Sequence, residues 1–178
     1  GELPWHLQAI GRGIFYEVRN YRDLPDNGYI GVDDLEGLTT KQKKTKIFEK
    51  LHQVWADDWR DTTKGRVTYR FAPDPRKIKT LTHYAPTMEE LFILTGHGSM
   101  NAYLYDRNIS DTPECDCGAP NENWQHILNE CPLYDELRTW DQTEPLINLL
   151  NNCTLYMKFK TYCAEAFELR KMRGIDNA

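Results

Sequence analysis

The chain has 178 residues, of which 40% are hydrophobic and 28% charged, and this composition predicts a globular, mainly helical protein. No apolar run reaches the roughly 18 to 20 residues that span a bilayer, and the first residues lack the pattern of a signal peptide. The net charge of −5 argues weakly against a nucleic-acid-binding protein. We therefore expect an intracellular protein with no membrane partner, and the missing initiator Met suggests a segment of a longer polypeptide.

The charge is unevenly distributed along the chain. Residues 41–80 carry 12 Lys and Arg against 5 Asp and Glu, a net charge of +7, whereas the remaining residues carry 10 against 22, or −12. A basic segment on an acidic body indicates a binding surface for an acidic partner. The alternative is a solvated helix face, which is the ordinary interpretation of KQKKTK taken alone.

The first half of the chain predicts two long helices. Apolar residues recur at helical spacing over 4–23 and again over 40–62, and a loop with a PDNG turn separates them. On the second helix we expect Trp55 and Trp59, one turn apart, to lie against the core.

The next stretch predicts a short strand or extended arm. In GRVTYRFAP the apolar residues Val67, Tyr69 and Phe71 alternate with the residues between them, which is the period of a strand.

The second half predicts further helices. Thr87 begins a capping box, T-M-E-E, that opens a helix through Leu94, and Ser99 is expected to cap a short helix through Arg107. The later predicted helices cover residues 123–130, 133–140, 144–151 and 154–172.

The fold class that follows is mainly α, a small helical domain with at most a short strand element. We divide the chain into an N-terminal helix and loop (1–40), a helical domain (41–151) and a C-terminal helix that packs on it (152–178). The first of these segments would link the domain to a preceding part of a longer protein.

Four residues predict a metal site: Cys115, Cys117, His126 and Cys131, in the spacing C-x-C-x8-H-x4-C. Thiolates and imidazoles are the ligands of tetrahedral structural zinc sites. Gly118 permits a tight turn after the first two thiols. Pro132 biases the residue before it away from helical geometry, so the helix carrying His126 should end before Cys131 and let its thiol turn back.

A disulfide or plain burial of the cysteines is the alternative to a metal. Cys115 and Cys117 are poorly placed to bond each other, and thiols stay reduced inside cells. We therefore expect one structural Zn²⁺, with no open position for catalysis because the protein fills all four. For Cys153 and Cys163, which lie in helical patterns, we expect core packing.

Two shorter motifs leave alternatives open. The segment LTGHG (94–98) is either an anion-binding turn or a helix–loop–helix joint with a buried, hydrogen-bonded His97. Pro73-Asp74 resembles half of a nuclease motif, but no acidic-x-Lys partner follows, and we find no catalytic residues. We expect no small-molecule substrate.

The basic segment offers candidate phosphate contacts around Lys64-Gly65-Arg66. A basic pair beside a flexible Gly can follow a nucleic-acid backbone, while Tyr69 and Phe71 either offer stacking faces or point into the core. The candidate nucleic-acid-binding residues are Lys64, Arg66, Arg70, Arg76, Lys77, Lys79, Lys41, Lys43, Lys44 and Lys46.

Three segments together resemble a known family: WADDWRDTTKGRVTYRFAPDP, LFILTGHGSMNAYLYDRNISDTPECDCG and QHILNECPLYDELR. From about Val54 to Arg138 the chain resembles the C-terminal zinc-binding (CCHC) region of non-LTR retrotransposon reverse transcriptases, of the site-specific type found in arthropods.

This resemblance implies a non-catalytic accessory domain, although the parent polypeptide would be an RNA-directed DNA polymerase with an endonuclease. The domain would help the polymerase hold element RNA or target DNA during target-primed reverse transcription. Its partners would be RNA or DNA and the polymerase domain, in the nucleus and the cytoplasm. The alternative is a domesticated module that binds a protein partner and keeps the zinc for structure alone.

Overall fold

A computed structural model describes residues 2–20 and 27–173. Its α-helices are α1 (Trp5–Asn20), α2 (Thr40–Asp61), α3 (Arg66–Phe71), α4 (Met88–Thr95), α5 (Asn101–Asp106), α6 (Leu146–Asn151) and α7 (Cys153–Met172). Short 3-10 helices cover Asp33–Leu35, Pro75–Thr80 and Pro132–Leu137, and a π-helical turn covers His126–Glu130. Over these described ranges the chain contains no strand, so the mainly α fold class is confirmed. Among the described helices, none combines the length and apolar character needed to cross a membrane.

The chain forms two compact units. Unit 1 is Gly1–Thr62 with Asp74–Thr80, and unit 2 is Thr63–Pro73 with Leu81–Ala178. The division into segments 1–40, 41–151 and 152–178 stays a prediction. Within the units, α2 packs against α1, and α7 packs against α4 and α6.

Unit 1 is built on the pairing of α1 with α2. The capping box at Thr39 and Gln42 begins α2, and its apolar stripe buries Ile47 and Leu51. The core of this unit comprises Leu3, Leu7, Ile14, Ile30, Leu35, Ile47 and Leu51. Trp55 is partly buried against it, as predicted, and Trp59 is also partly buried. Residues 21–23 of the predicted first helix lie outside the described residues.

Unit 2 is centred on α7. Its buried face includes Tyr156, Phe159, Tyr162, Cys163, Ala166 and Phe167, spaced three and four residues apart as in any helix that packs by one side. The burial of Cys163 confirms the prediction for that thiol. Cys153, the first residue of α7, is exposed, so its predicted core packing is wrong.

The strand predicted around Val67, Tyr69 and Phe71 is also wrong, because Arg66–Phe71 is α3. Three alternating apolar residues fit a short helix equally well, since Val67 and Phe71 stand four residues apart and share one helical face. Phe71 is buried, with its ring 5.7 Å from that of Trp124 and 6.3 Å from that of Phe159. Packing in three dimensions thus selects the helix.

Capping residues were predicted correctly for α4 and incorrectly for α5. At α4, Thr87 accepts from Glu90 N while the Glu90 side chain accepts from Thr87 N, which is the predicted capping box. At α5, Ser99 is not the cap; the helix begins after Met100, and the backbone N–H of Asn101 donates to the carboxylate of Glu122. The Glu122 carboxylate, which is distant in sequence, therefore accepts the hydrogen bond that a local capping side chain would accept.

Candidate metal centre

The four predicted ligands come together in unit 2. The ligand atoms of Cys115, Cys117, His126 and Cys131 all lie within 4.8 Å of one another. Cys115 Sγ lies 3.7 Å from Cys131 Sγ, and Cys117 Sγ lies 3.3 Å from His126 Nε2. A tetrahedron with Zn–S bonds of about 2.3 Å has an edge of about 3.8 Å between sulfurs. The donor set and its spacing therefore fit one tetrahedral metal ion, whereas the sulfur–sulfur separation is far too long for a disulfide.

A tight turn holds the first two ligands. The carbonyl of Cys115 accepts a hydrogen bond from Gly118 N at 2.8 Å, and Cys115 N donates to Ala119 O at 2.9 Å. Gly118 has φ of 90°, a conformation that residues with a Cβ rarely adopt. The predicted role of this glycine in bending the backbone is confirmed.

The second pair of ligands lies on the π-helical turn. Cys131 N donates to His126 O at 2.7 Å, a bond between residues five apart. On an α-helix, side chains five residues apart diverge by about 140°. The wider turn reduces that divergence and lets both side chains reach one point. Cys131 itself is extended, with φ −72° and ψ 118°, so the predicted helix end before Pro132 is confirmed.

Asn123 fixes the start of this turn. Its side-chain Oδ1 accepts hydrogen bonds from the backbone N–H groups of Gln125 and His126, each at 2.9 Å. These are two of the donors that a helix start leaves without partners. The cap holds His126 with its Nε2 toward Cys117 and its Nδ1 3.7 Å from the Glu130 carboxylate. A carboxylate near the second ring nitrogen is the usual arrangement for a metal-binding histidine.

Arg138 holds the end of the turn and was not recognised from the sequence. Its side chain donates to the carbonyls of Leu128 at 2.8 Å, Ile127 at 3.0 Å and Cys131 at 2.7 Å. Ile127 O also accepts from the Tyr162 hydroxyl and Cys131 O from Tyr134 N, and the guanidinium adds donors to all three carbonyls from one planar group. No local pattern marks this role, because Arg138 follows the turn as one charged residue among several.

Burial raises the pKa of the Cys115 and Cys131 thiols above their usual range. A buried thiol stays neutral unless a cation stabilises the thiolate. At neutral pH these thiols therefore keep their protons unless a metal ion with high affinity for thiolate, such as zinc, binds and displaces them.

A buried ion pair lies behind the cluster. Glu122 and Arg170 are both fully buried, and Arg170 Nη1 donates to Glu122 Oε1. The backbone of Glu122 also bonds to Pro113 and Ala102. Through this residue the segment between the two ligand pairs is joined to α5 and to α7.

The basic helix α3 lies against the segment 113–140, which carries the four candidate ligands and is called the metal lobe below. The guanidinium of Arg70 stands 5.4 Å from the ring centroid of Trp124, two residues before His126. Arg66 stands 4.3 Å from the ring of Tyr69. Of the two interpretations of Tyr69 and Phe71, the core position is confirmed for Phe71, while Tyr69 is partly buried beneath Arg66.

Curated relatives of the chain come from one kind of mobile element. The retrovirus-related Pol polyprotein from type-1 retrotransposable element R1 of Bradysia coprophila is 40% identical over 158 residues, which are 89% of this chain and 15% of that protein. A putative 115 kDa protein in element R1DM of Drosophila melanogaster is 41% identical over 146 residues, 79% of this chain and 14% of that protein.

This chain belongs to the Pol polyproteins of R1-type, non-LTR retrotransposons. It spans only a small part of these two relatives. A third, R1 2 of Nasonia vitripennis, is 28% identical over 180 residues, 96% of this chain and 44% of that protein. No family model and no solved structure matches the chain. The family resemblance predicted from Val54–Arg138 is confirmed and extends over most of the sequence.

The remaining predicted basic residues of this R1 homologue lie in unit 1. Lys41, Lys43, Lys44 and Lys46 are on α2, and Arg76, Lys77 and Lys79 are on the 3-10 helix Pro75–Thr80. Several have acidic partners: Arg76 bonds to Asp74 at 2.8 and 3.0 Å, Lys79 to Glu2 at 3.1 Å, and Lys46 lies 3.9 Å from Asp34. The Arg76 guanidinium also lowers the pKa of the Asp74 carboxyl below its usual value. Arg76, Lys79 and Lys46 are thus each close to an acidic residue of the same unit.

The LTGHG segment of the R1 homologue is a joint between α4 and α5. Gly96, with φ of 73°, ends α4, and a Cβ there would come within 2.9 Å of the Val67 side chain. Gly98 has φ of 114°, and a Cβ there would stand 2.1 Å from the Phe92 ring. The interpretation of this segment as a helix–loop–helix joint is confirmed. The prediction that His97 is buried is wrong, because His97 is exposed, with its ring 5.0 Å from that of Tyr103.

Proposed function

We propose that this chain is a non-catalytic, C-terminal domain of an R1-type reverse transcriptase that binds element RNA or target DNA and supports target-primed reverse transcription. The domain would act beside the polymerase domain of the parent chain, in the nucleus and the cytoplasm. Homology to Pol polyproteins supports a role beside nucleic acid.

The observation that carries the nucleic-acid proposal is the contact between Arg70 on α3 and Trp124 on the metal lobe. It attaches the basic helix to the segment that carries the four candidate ligands, and a bound metal ion would fix the shape of that segment. A basic surface on a rigid support can contact phosphates without first having to be ordered, which lowers the entropic cost of binding.

We further propose that the metal is one structural Zn²⁺. The ligands would be Cys115, Cys117, His126 and Cys131, a set that suits zinc and fills its four tetrahedral positions. The ion would supply folding energy to the lobe, and Arg138 and Asn123 would hold the ligand-bearing turn.

Removal of two charges at the start of α3, Lys64 in the preceding turn and Arg66 on the helix, tests the nucleic-acid role. We expect the double substitution Lys64→Ala with Arg66→Ala to weaken binding to unrelated sequences about equally, because phosphate contacts do not read bases. The slope of log affinity against log salt should fall by roughly 1 to 2 units. The measurement is affinity for structured RNA, single strands and duplex DNA across a salt series, with helicity checked by circular dichroism.

The matched control removes two charges elsewhere. Arg12 and Arg19 are exposed basic residues of α1, outside the basic segment, and Arg12→Ala with Arg19→Ala should leave the slope unchanged. If the wild-type chain binds no nucleic acid tighter than about 100 μM at physiological salt, the nucleic-acid role is wrong. The chain would then be better explained as a module that binds a protein partner.

A further inference from the structure

A cavity of about 560 Å³ opens beside the LTGHG joint in unit 2. Its volume lies within the range of pockets that hold small organic groups, roughly 300 to 1,000 Å³. Its polar and aromatic lining includes His97, Tyr103, Tyr105, Arg107, Asn121 and Asn123.

Flat side chains form a stack at this cavity. The His97 and Tyr103 rings lie 5.0 Å apart and inclined by 34°, and the Arg107 guanidinium stands 5.3 Å from the Tyr103 ring. His97 and Arg107 are exposed, and Tyr103 is partly buried. The positive φ angles of Gly96 and Gly98 account for the path of the backbone through the joint, so the His97 imidazole is not needed to shape it. The exposed aromatic stack is therefore unexplained by packing.

We propose that this cavity holds an unpaired nucleobase of a single-stranded nucleic acid, an inference that rests on the nucleic-acid role proposed above. Stacking on aromatic rings accepts any base, because every base has a π face. The Arg107 guanidinium can pair with a flanking phosphate, and the amides of Asn121 and Asn123 can bond to a base edge. A paired duplex keeps its bases inside its own stack and offers none to the cavity.

The cavity is also connected to the metal lobe. Asn123 lines it and, through the same side chain, caps the turn that begins at His126. The metal-holding turn thus fixes one wall of the base site, while α3 stays available for backbone phosphates. The two surfaces have different chemistry, so they can be tested separately.

The experiment measures binding of the full chain to single strands of about 12 nucleotides, a length within the range that single-strand-binding sites cover. Each strand carries one 2-aminopurine, whose fluorescence is quenched when the base stacks on a protein ring. We expect quenching with wild type. Tyr103→Ala and His97→Ala should each weaken binding by about 5- to 100-fold, the effect of losing one base–aromatic stack. Tyr103→Phe keeps the ring and should bind within about twofold of wild type.

The salt dependence separates this site from the α3 surface. Tyr103→Ala removes no charge and should leave the salt slope unchanged, whereas the Lys64 and Arg66 substitutions lower it. Separate affinity measurements with an RNA strand and a DNA strand of the same sequence show which nucleic acid supplies the base, since only RNA offers a 2′-hydroxyl.

An abasic strand or a duplex that binds as tightly as the base-containing single strand overturns the base site and leaves the backbone-binding role in place. Unchanged quenching by His97→Ala and Tyr103→Ala, with both variants folded, also overturns it. If wild type binds none of the strands or duplexes, both proposals are wrong. His97 is exposed, so its variant keeps the test valid even where Tyr103→Ala fails to fold.

Discussion

Arg138 donates hydrogen bonds to three carbonyls of the turn that carries the candidate ligands His126 and Cys131, and its loss tests how that turn is held. Lysine keeps the charge but cannot place donors on all three carbonyls at once. We expect Arg138→Lys to lower the free energy of unfolding by about 1 to 3 kcal/mol, since Leu128 O loses the guanidinium donor and the carbonyls of Ile127 and Cys131 each lose one of their donors. Metal affinity should fall by about 10- to 100-fold, as when other groups that orient ligands are removed. Chemical denaturation and competition with a chelator measure the two effects.

The matched control is Arg60→Lys on α2. Arg60 is exposed and lies beside Asp57 and Asp61, and exposed ion pairs contribute little to stability because water screens them. This change should leave metal affinity as in wild type. Equal affinity for metal in Arg138→Lys and Arg60→Lys would show that Arg138 does not position the ligands.

The buried Glu122–Arg170 ion pair leads to a second prediction about single residues. Glu122→Gln keeps an acceptor for the N–H of Asn101 but removes the negative charge that faces the buried Arg170. We expect a loss of about 3 to 5 kcal/mol of unfolding free energy, because the buried Arg170 guanidinium loses the carboxylate that faces it.

Adding Arg170→Met to Glu122→Gln removes the buried positive charge and should recover part of that loss, which a double-mutant cycle by denaturation measures. Additive effects of the two substitutions would contradict a direct pairing.

At the scale of elements, the two glycines of the LTGHG joint set the angle between α4 and α5. In Gly98→Ala the new Cβ would meet the Phe92 ring, at a φ that L residues rarely adopt. We expect this change to cost about 2 to 5 kcal/mol of unfolding free energy from strain and overpacking together. Gly13→Ala is the comparison: Gly13 lies within α1 with nothing within 4 Å of a Cβ, so alanine should stabilise by about 0.5 to 1 kcal/mol. Melting of both variants by circular dichroism checks the opposite signs.

Helices α2, α4 and α7 were predictable because their signals are local. Thr87 caps α4 through its own side chain, and α2 and α7 carry long apolar stripes. The helix α3 was missed because it is six residues long, and a three-residue alternation does not distinguish the two periods.

The same limit applies to the candidate metal site. Its four ligands were predictable from residue type and spacing. The residues that hold the turn were not, because Arg138, Glu122 and Arg170 acquire partners only when distant segments meet. Their charge alone predicts exposure, and their burial is a property of the fold.

At the scale of the whole molecule, the two units differ in what stabilises them. Unit 1 has an apolar core of its own between α1 and α2. In unit 2 the turn that carries the candidate ligands His126 and Cys131 packs on α7 through Tyr162, whose hydroxyl donates to Ile127 O. Metal should therefore matter to unit 2 and not to unit 1.

Metal removal is the last prediction. The chain purified without added metal should contain about one zinc, and a chelator should unfold the lobe, since binding energy in such sites is largely folding energy. Hydrogen exchange should show lost protection over residues 113–140 and the facing side of α7, with protection of α1 and α2 retained. Cys117→Ser should reproduce this loss, whereas Cys153→Ser removes an exposed thiol outside the cluster and should melt like wild type. Zinc well below half an equivalent, or a Cys117→Ser variant as stable as Cys153→Ser, would refute a structural zinc site; loss of protection in both units together would refute their separate stabilisation.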